Sequence, residues 1–265
     1  MISYIIVSYN SSKTIFSTIE SIIESTTKPF EIIVVDNCSP DTEYVSDLEN
    51  LSNIKLVKSK ENLGFSKANN LGVLNSSGDT LFFINPDVFV NSKAVDSILK
   101  TVKDGVVVSS VLFDEQGNQN KSIYLIPFLS NYISYALKNK GKHWVHGALL
   151  VFTRGDFIKV GQWNEDYFMY SEDVDLCNRI HMNGLELNIL NEEVIHVGGT
   201  STSSVWSDLQ RSKIVEKSSY IFYSKYNRKF DYYLINVAVI LKMLITGNSS
   251  FKNKLLSFIK VAKDV

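Results

Sequence analysis

Glu31-Ile32-Ile33-Val34-Val35-Asp36 is an unbroken apolar run that ends on a carboxylate and stops in the polar turn Asn37-Cys38-Ser39-Pro40-Asp41. Consecutive β-branched residues without polar alternation describe a strand covered on both faces, as in a parallel sheet. The same figure precedes it. Ser3-Tyr4-Ile5-Ile6-Val7-Ser8 runs into Tyr9-Asn10-Ser11-Ser12, after which Ile15, Ile19, Ile22 and Ile23 recur at helical spacing. It also follows: Ile54-Lys55-Leu56-Val57, then a helix from about Ser66 to Asn75, the turn Ser76-Ser77-Gly78-Asp79, and the run Thr80-Leu81-Phe82-Phe83-Ile84, which halts at Asn85-Pro86-Asp87. Strands joined by helical crossovers predict a parallel α/β half-domain. Ligands gather beyond the carboxyl ends of such strands, where Asn10, Asp36 and Asp87 stand.

Past residue 105 the alternation changes. Val106 to Phe113, the turn Asp114-Glu115-Gln116-Gly117-Asn118 and a return strand predict a hairpin, with a helix from Pro127 to Leu137 behind it. His146 to Thr153 reads as a buried strand, Ser171 to Asn183 as a helix stopped by Gly184, and Leu185 to Leu190 with Val194 to Val197 as two short strands. The expected fold class is α/β, with a Rossmann-like half over 1–104, an α+β half over 105–205 and a helical extension over 206–265.

The composition is that of an ordinary globular chain: 265 residues, 45% hydrophobic and 21% charged, with 27 basic against 28 acidic side chains. Only 13 Gly and 4 Pro occur, which excludes collagen-like and linker-like readings. Cys38 and Cys177 cannot build a disulfide framework, so a reducing compartment is expected. The uncharged start, Met1 to Ser12, lacks the basic opening and cleavage site of a signal peptide. The longest uncharged stretch, Ser122 to Leu137, has 16 residues, short of the roughly 20 apolar ones a bilayer span requires.

The net charge of −1 conceals an asymmetry, because residues 1–210 carry −9 and residues 211–265 carry +8. That basic tail holds an apolar run, Leu234 to Ile245, interrupted by Asn236 and Lys242. A second pattern has Phe251, Leu255, Phe258, Ile259 and Ala262 at helical spacing, with Lys252, Lys260 and Lys263 off the stripe. Two readings stay open: a helix lying in an anionic membrane surface, or a helix pair packed on the body. No nucleic-acid partner is expected, since an acidic body opposes phosphate approach.

Three carboxylates in Ser171-Glu172-Asp173-Val174-Asp175 open a helix, with Ser171 as candidate cap. A carboxylate held there beside Tyr167, Phe168, Met169 and Tyr170, with negative neighbours raising its basicity, suits a general base. On the helix, Glu172 and Asp175 share a face and Asp173 points elsewhere. Asp87 at a strand end could hold Mg²⁺ or Mn²⁺ with a substrate phosphate completing the shell, or could simply belong to an Asn-Pro turn. His196, in His196-Val197-Gly198-Gly199-Thr200-Ser201, could be a further ligand, a phosphate contact or a loop histidine; His143, His146 and His181 have no spacing that commits them to a metal. The glycine turn at Asn62-Leu63-Gly64-Phe65 could offer backbone N–H groups to an anion, though neither a P-loop nor a dinucleotide fingerprint is present.

In order, Ile6-Val7-Ser8-Tyr9-Asn10, Val34-Val35-Asp36-Asn37-Cys38-Ser39, Asn62-Leu63-Gly64-Phe65-Ser66-Lys67-Ala68-Asn69-Asn70, Phe83-Ile84-Asn85-Pro86-Asp87, Gly147-Ala148, Gly161-Gln162-Trp163-Asn164-Glu165-Asp166-Tyr167-Phe168-Met169-Tyr170, Glu172-Asp173-Val174-Asp175-Leu176 and His196 span about residues 3 to 201. Together they resemble the inverting family 2 glycosyltransferases of the GT-A fold, most closely the bacterial rhamnosyltransferase-like branch that builds O-antigen and other surface polysaccharides. The resemblance implies that Ser8 and Asn10 line a nucleotide pocket, that Asp36 hydrogen-bonds the pyrimidine, and that Gly64 and Asn69 lie along the nucleotide sugar. It implies Asp87 and His196 as contacts of a divalent cation or the diphosphate, and Asp173 as the base that deprotonates an acceptor hydroxyl. Glu172, Asp175, His146 and Trp163 are left to orient the acceptor or support the base. Asn85 replaces the first acid of the family's D-x-D, as that branch also tolerates.

The implied partners are a nucleotide-sugar donor, dTDP-L-rhamnose or a UDP-hexose, and a lipid-linked saccharide acceptor. The implied location is the cytoplasmic face of the cell membrane, held peripherally by the tail. Two competing readings are weaker. A nucleotidyltransferase needs a glycine-rich basic loop after the first strand, which Tyr9-Asn10-Ser11-Ser12 does not offer, and an inactive assembly partner has no reason to keep Asp87 and Asp173.

Overall fold

The first half of the chain alternates as the sequence predicts. β1 (Ile2–Ser8), α1 (Ile15–Ser25), β2 (Phe30–Asp36), α2 (Glu43–Glu49), β3 (Lys55–Lys58), α3 (Gly64–Leu74) and β4 (Thr80–Ile84) follow one another, and the strands pair in parallel in the order β3-β2-β1-β4. This computed structural model describes residues 1–138, 141–198 and 206–263. The continuous apolar runs have a simple cause. Alternate side chains leave opposite faces of a strand, and both faces are covered. Ile6, Val34 and Phe82 pack with Ile15, Ile19 and Ile22 of α1, while Ile33 and Val35 pack on Ala68 of α3. Each such buried side chain contributes about 1.5–3 kcal/mol relative to exposure, so a polar residue on either face is costly.

The second half continues the same sheet. It comprises β5 (Val88–Phe89), α4 (Ser92–Thr101), β6 (Val106–Phe113), β7 (Gln119–Asn120), β8 (Ile123–Leu125), α5 (Leu129–Ala136), β9 (His143–Val145), β10 (Leu149–Thr153), α6 (Arg154–Lys159), α7 (Glu172–Met182) and β11 (Glu186–His196). β10 inserts antiparallel between β4 and β6, β11 runs parallel to β6, and β5 closes the edge, giving the order β3-β2-β1-β4-β10-β6-β11-β5 with β7 on β6. β8 and β9 form a separate pair.

Three local expectations are corrected. The two short strands after Gly184 are one strand, β11, whose register shifts between Leu190 and Val194 as Ser110 bonds the carbonyls of Leu190 and Glu192. The strand expected from His146 begins at Leu149, because His146, Gly147 and Ala148 turn the chain from the small sheet into the large one. Ser171 does not cap α7, since its left-handed backbone (φ 65°) leaves its side chain without a capping bond.

The extension folds as α8 (Asp208–Lys225), α9 (Lys229–Ile245) and α10 (Phe251–Lys263). Ser207 and Gln210 form a capping box that starts α8. The three helices share a buried knot, in which the Tyr232 hydroxyl donates to Glu216 at 2.7 Å and Lys254 pairs with the same carboxylate. α8 also packs on the body, with Tyr223 donating to the Pro127 carbonyl and Lys225 reaching Asp175. Among the described residues no helix is long and apolar enough to cross a membrane.

Candidate active site

A cavity of about 490 Å³ opens beyond the carboxyl ends of β1 and β4. Its walls come from both halves of the sheet, from the start of α7 and from α8.

One wall carries Asn85, Asp87 and His196. β4 ends at Ile84, the Asn85 N–H donates to the Ala148 carbonyl at 2.9 Å, and the chain turns at Pro86. β5 then pairs with the end of β11, setting Val88 opposite His196. That short pairing fixes the largely buried Asp87 carboxylate 3.3 Å from His196 Nε2.

The opposite wall carries Glu172 and Asp173. Tyr170 and Ser171 both have left-handed backbones (φ 69° and 65°), which swing the chain into α7 so that its first two carboxylates meet the cavity. Such conformations cost of order 1 kcal/mol or more and persist where surrounding structure imposes them. Asp173 accepts N–H bonds from Val174 at 2.8 Å and Gly147 at 3.3 Å. Burial holds its carboxyl above the usual range against the opposing pull of the His146 imidazole. Glu172 is raised well above its ordinary value, by burial and then by the Asp173 charge, and its Oε2 has no partner among the described residues. Burial thus biases both neighbouring carboxyls toward the protonated form. His146 stands between the two walls, its ring 5.5 Å from that of His196, and burial keeps it below the usual histidine value despite Asp173.

The structure places the remaining expected residues elsewhere than in the cavity wall. Ser8 is fully buried and shares a hydrogen bond with the Tyr44 hydroxyl, while Val7, Tyr9 and Ser11 reach the cavity. Asn10 and Asp36 gather on the Asp36–Asp41 turn: the Asn10 N–H donates to Ser39 Oγ, and Asp36 accepts from the Ser39 N–H. Asn69 donates back to the Phe65 carbonyl one helical turn earlier. Gly64 serves a close backbone approach, since a Cβ there would lie 2.2 Å from the Phe168 carbonyl oxygen. The amides at that turn do not await an anion: Leu63 donates to Asn37, Gly64 to Asn62 and Phe65 to the Phe168 carbonyl. Trp163 is a core residue, packed edge-on against Phe65 and Phe83. Asp175, expected beside Glu172, has turned into the packing between α7 and α8. It is fully buried, with Arg179 at 2.7 Å, Lys225 at 2.8 Å and the Tyr226 hydroxyl at 2.9 Å. Of the His196 to Ser201 segment, Gly199, Thr200 and Ser201 lie outside the described residues.

Residues 3–161 match the family model for glycosyl transferase family 2. The chain belongs to glycosyl transferase family 2. It is 26% identical over 196 residues to the rhamnosyltransferase WbbL of Escherichia coli, covering 63% of this chain and 74% of that protein. It is 25% identical over 234 residues to the N-acetylglucosaminyl-diphospho-decaprenol L-rhamnosyltransferase of Mycobacterium tuberculosis, covering 75% of this chain and 76% of that one. Among solved structures, the mannosyltransferase PcManGT from Pyrobaculum calidifontis, in complex with GDP-Man and Mn²⁺, superposes with a TM-score of 0.59 at 15% identity over 98% of this chain and 80% of that chain. TarS of S. aureus in complex with UDP gives 0.54 at 17% identity over 83% of this chain and 65% of that chain. The fold is GT-A, as expected.

As a family 2 glycosyltransferase the chain shows wall residues that sequence reasoning missed. Asn37 and Asn62 reach the cavity and are joined to each other at 3.0 Å. Their place in polar turns after β2 and β3 was the available signal. Trp206 and Arg211 arrive from the extension, whose basic composition reads in sequence as a membrane-facing or packing helix rather than as a cavity wall. Among the described residues of the wall Arg211 is the one arginine or lysine, and its guanidinium sits 5.9 Å over the Tyr170 ring.

Asp87 and His196 offer one carboxylate oxygen and one imidazole nitrogen on a cavity wall, a donor pair that suits Mg²⁺ or Mn²⁺ when substrate oxygens and water supply the rest. Among the described residues no three His, Cys, Asp or Glu side chains form a self-sufficient metal cluster. The pair fits a cation shared with a substrate diphosphate.

Proposed function

We propose that this family 2 glycosyltransferase inverts the anomeric centre of its donor, moving L-rhamnose from dTDP-L-rhamnose onto a hydroxyl of a lipid-linked saccharide in bacterial O-antigen or surface polysaccharide synthesis. The observation that carries the reading is the pairing, across one cavity, of an ionisable Asp173 with the Asp87–His196 pair. Asp173 accepts the proton of the acceptor hydroxyl, whose oxygen attacks the anomeric carbon from the face opposite the departing nucleoside diphosphate. One carboxylate on one side and direct displacement give inversion. Burial biases Glu172 beside it toward the neutral form, which limits the charge the base must face. Arg211 lies against the leaving diphosphate and draws its charge away from the acceptor. Asp87 and His196 would hold a divalent cation, which when bound neutralises charge on the diphosphate.

The two relatives named as rhamnosyltransferases support the donor, and the decaprenol-linked name of one supports a lipid-linked acceptor. The location that follows is the cytoplasmic face of a membrane. There, the exposed stripe Phe230, Leu234, Val237, Leu241 and Leu244 of α9, set in a basic module, meets anionic lipid.

A thermal-shift panel with dTDP-rhamnose, UDP-hexoses and a GDP-sugar, each with Mn²⁺, Mg²⁺ or EDTA, tests the donor, because a ligand of the folded state raises apparent stability. Selective stabilisation by dTDP-rhamnose is the expected result. Stabilisation by a UDP-hexose replaces the sugar and keeps the mechanism, and no response to any sugar nucleotide overturns the donor assignment, leaving an acceptor-first enzyme or an inactive assembly partner.

A further inference from the structure

A second cavity, of about 370 Å³, opens between α5, the middle of α7 and the turn from α8 to α9. Its rim carries two cations from distant parts of the chain, Lys142 just before β9 and Arg228 at the start of α9, together with the amides of Asn131 and Asn178. Arg228 is positioned, its guanidinium 5.5 Å over the Phe128 ring. The Lys142 backbone is positioned too, its N–H donating to Asn131 Oδ1 at 2.8 Å and its carbonyl accepting from Asn131 Nδ2. No acidic side chain lines this cavity among the described residues, and the sequence from Lys121 to Arg154 contains none at all.

Apolar surface flanks the cations on both sides. α5 has no buried residue and exposes Tyr132, Ile133 and Tyr135, with Leu137 just past its end. The first turns of α9 expose Phe230, Tyr233 and Leu234. The two helices are tied at their starts, where the Leu129 N–H donates to Asp231 at 3.0 Å. Cations in a polar-rimmed cleft between exposed aromatic and aliphatic surfaces match one kind of occupant, an anionic headgroup whose acyl chains lie alongside.

We propose that this cleft is a headgroup site for an anionic phospholipid. Lys142 and Arg228 take the phosphate, while α5 and the start of α9 enter the lipid beside it. The inference rests on the membrane location given above and deepens it, because it assigns docking to α5 and the α8–α9 turn as well as to the tail. It also sets a height for the active site. Asn178 and Met182 line the cleft and Val174 lines the catalytic cavity, all on one face of α7, so at 1.5 Å per residue the cleft lies about 10 Å along the helix from Asp173. A saccharide anchored in the same leaflet would meet the base near the headgroup layer.

The test is co-sedimentation of the full chain with phosphatidylglycerol/phosphatidylcholine vesicles and with pure phosphatidylcholine vesicles. It compares the wild type, Lys142→Gln/Arg228→Gln, and a control of equal charge loss on the body, Lys100→Gln/Lys103→Gln. Thermal melting confirms that each variant is folded. Binding of the cleft variant to the anionic vesicles should fall about thirtyfold, from the loss of two surface cations, while the control stays within about twofold. Equal losses in both variants overturn the cleft in favour of diffuse attraction. Full binding by the cleft variant overturns it while leaving the membrane reading to α9, and no vesicle binding by the wild type overturns both. If inorganic phosphate binds the wild type and strips it from vesicles, but has neither effect on the cleft variant, the occupant is a soluble anion and the lipid assignment falls.

Discussion

The backbone N–H of Gly147 holds Asp173 Oδ2 at 3.3 Å, so the turn after β9 braces the candidate base from outside its own helix. The carboxylate enters the cavity from one element and is aimed by another. Asp173→Asn keeps the shape and the contact with Val174 but cannot accept a proton. Transfer should fall by about 10²–10⁴, the range for a lost general base, with sugar-nucleotide binding intact by thermal shift. Loss of binding along with transfer would remove Asp173 from the proton-transfer role.

Burial raises the folded-state pKa of Glu172, which fixes the sign of a stability effect. A raised carboxyl stabilises the fold fully below its unfolded pKa of about 4.3 and loses that contribution as pH rises through the folded value. Glu172→Gln copies the neutral form and cannot ionise. It should melt a few degrees higher than the wild type at alkaline pH and match it at pH 4, and it should retain transfer where Asp173→Asn does not. A lower melting temperature confined to alkaline pH would show that the ionised carboxylate has a structural partner.

Asp173 is raised as well, so transfer should rise with pH on the acid side, with a midpoint above the ordinary aspartate value of about 3.9. The slope belongs to the carboxylate form. A kcat profile flat down to pH 4 would argue that another group takes the proton.

Asp87→Ala removes the carboxylate beside His196 and should weaken sugar-nucleotide binding in Mn²⁺ by on the order of a hundredfold, as expected for several kcal/mol of charge stabilisation. EDTA should do the same to the wild type and little more to the variant. If the variant and the wild type respond equally to EDTA, the cation sits elsewhere.

Asp175→Ala leaves Arg179 and Lys225 facing a gap. Breaking a buried pair from one side costs 3–5 kcal/mol in general, and about 3 kcal/mol is expected here because Lys225 keeps access to water. Urea denaturation measures it. Donor affinity should fall in the same variant, since Trp206 and Arg211 are carried into the cavity at the head of α8.

The parallel half was legible because burial on both faces leaves an unmistakable mark, seen in Ile32 to Val35, and polar turns at strand ends mark where ligands meet the sheet. The shared cavity of Asp87, Asp173 and His196 was foreshadowed for the same reason, each standing at or just past a strand end or at a helix start. What failed was side-chain direction. Ser8 sits one position from the wall because strand neighbours point oppositely, and Asp175 left the cavity because Lys225 and Tyr226, fifty residues later, compete for it. Helical spacing alone groups Glu172 with Asp175. The left-handed backbone at Tyr170 and Ser171 instead presents Glu172 and Asp173, and no local sequence pattern announces that geometry.

The buried contacts around Asp175 tie two cavities to one helix. One helix, α8, supplies Arg211 to the candidate active-site cavity at its first turn and contacts the cationic cleft at its end, where Tyr226 stands. An exchange of α8 would carry a wall residue of one cavity and a lining residue of the other together, with Asp175 as the buried partner the incoming helix must find.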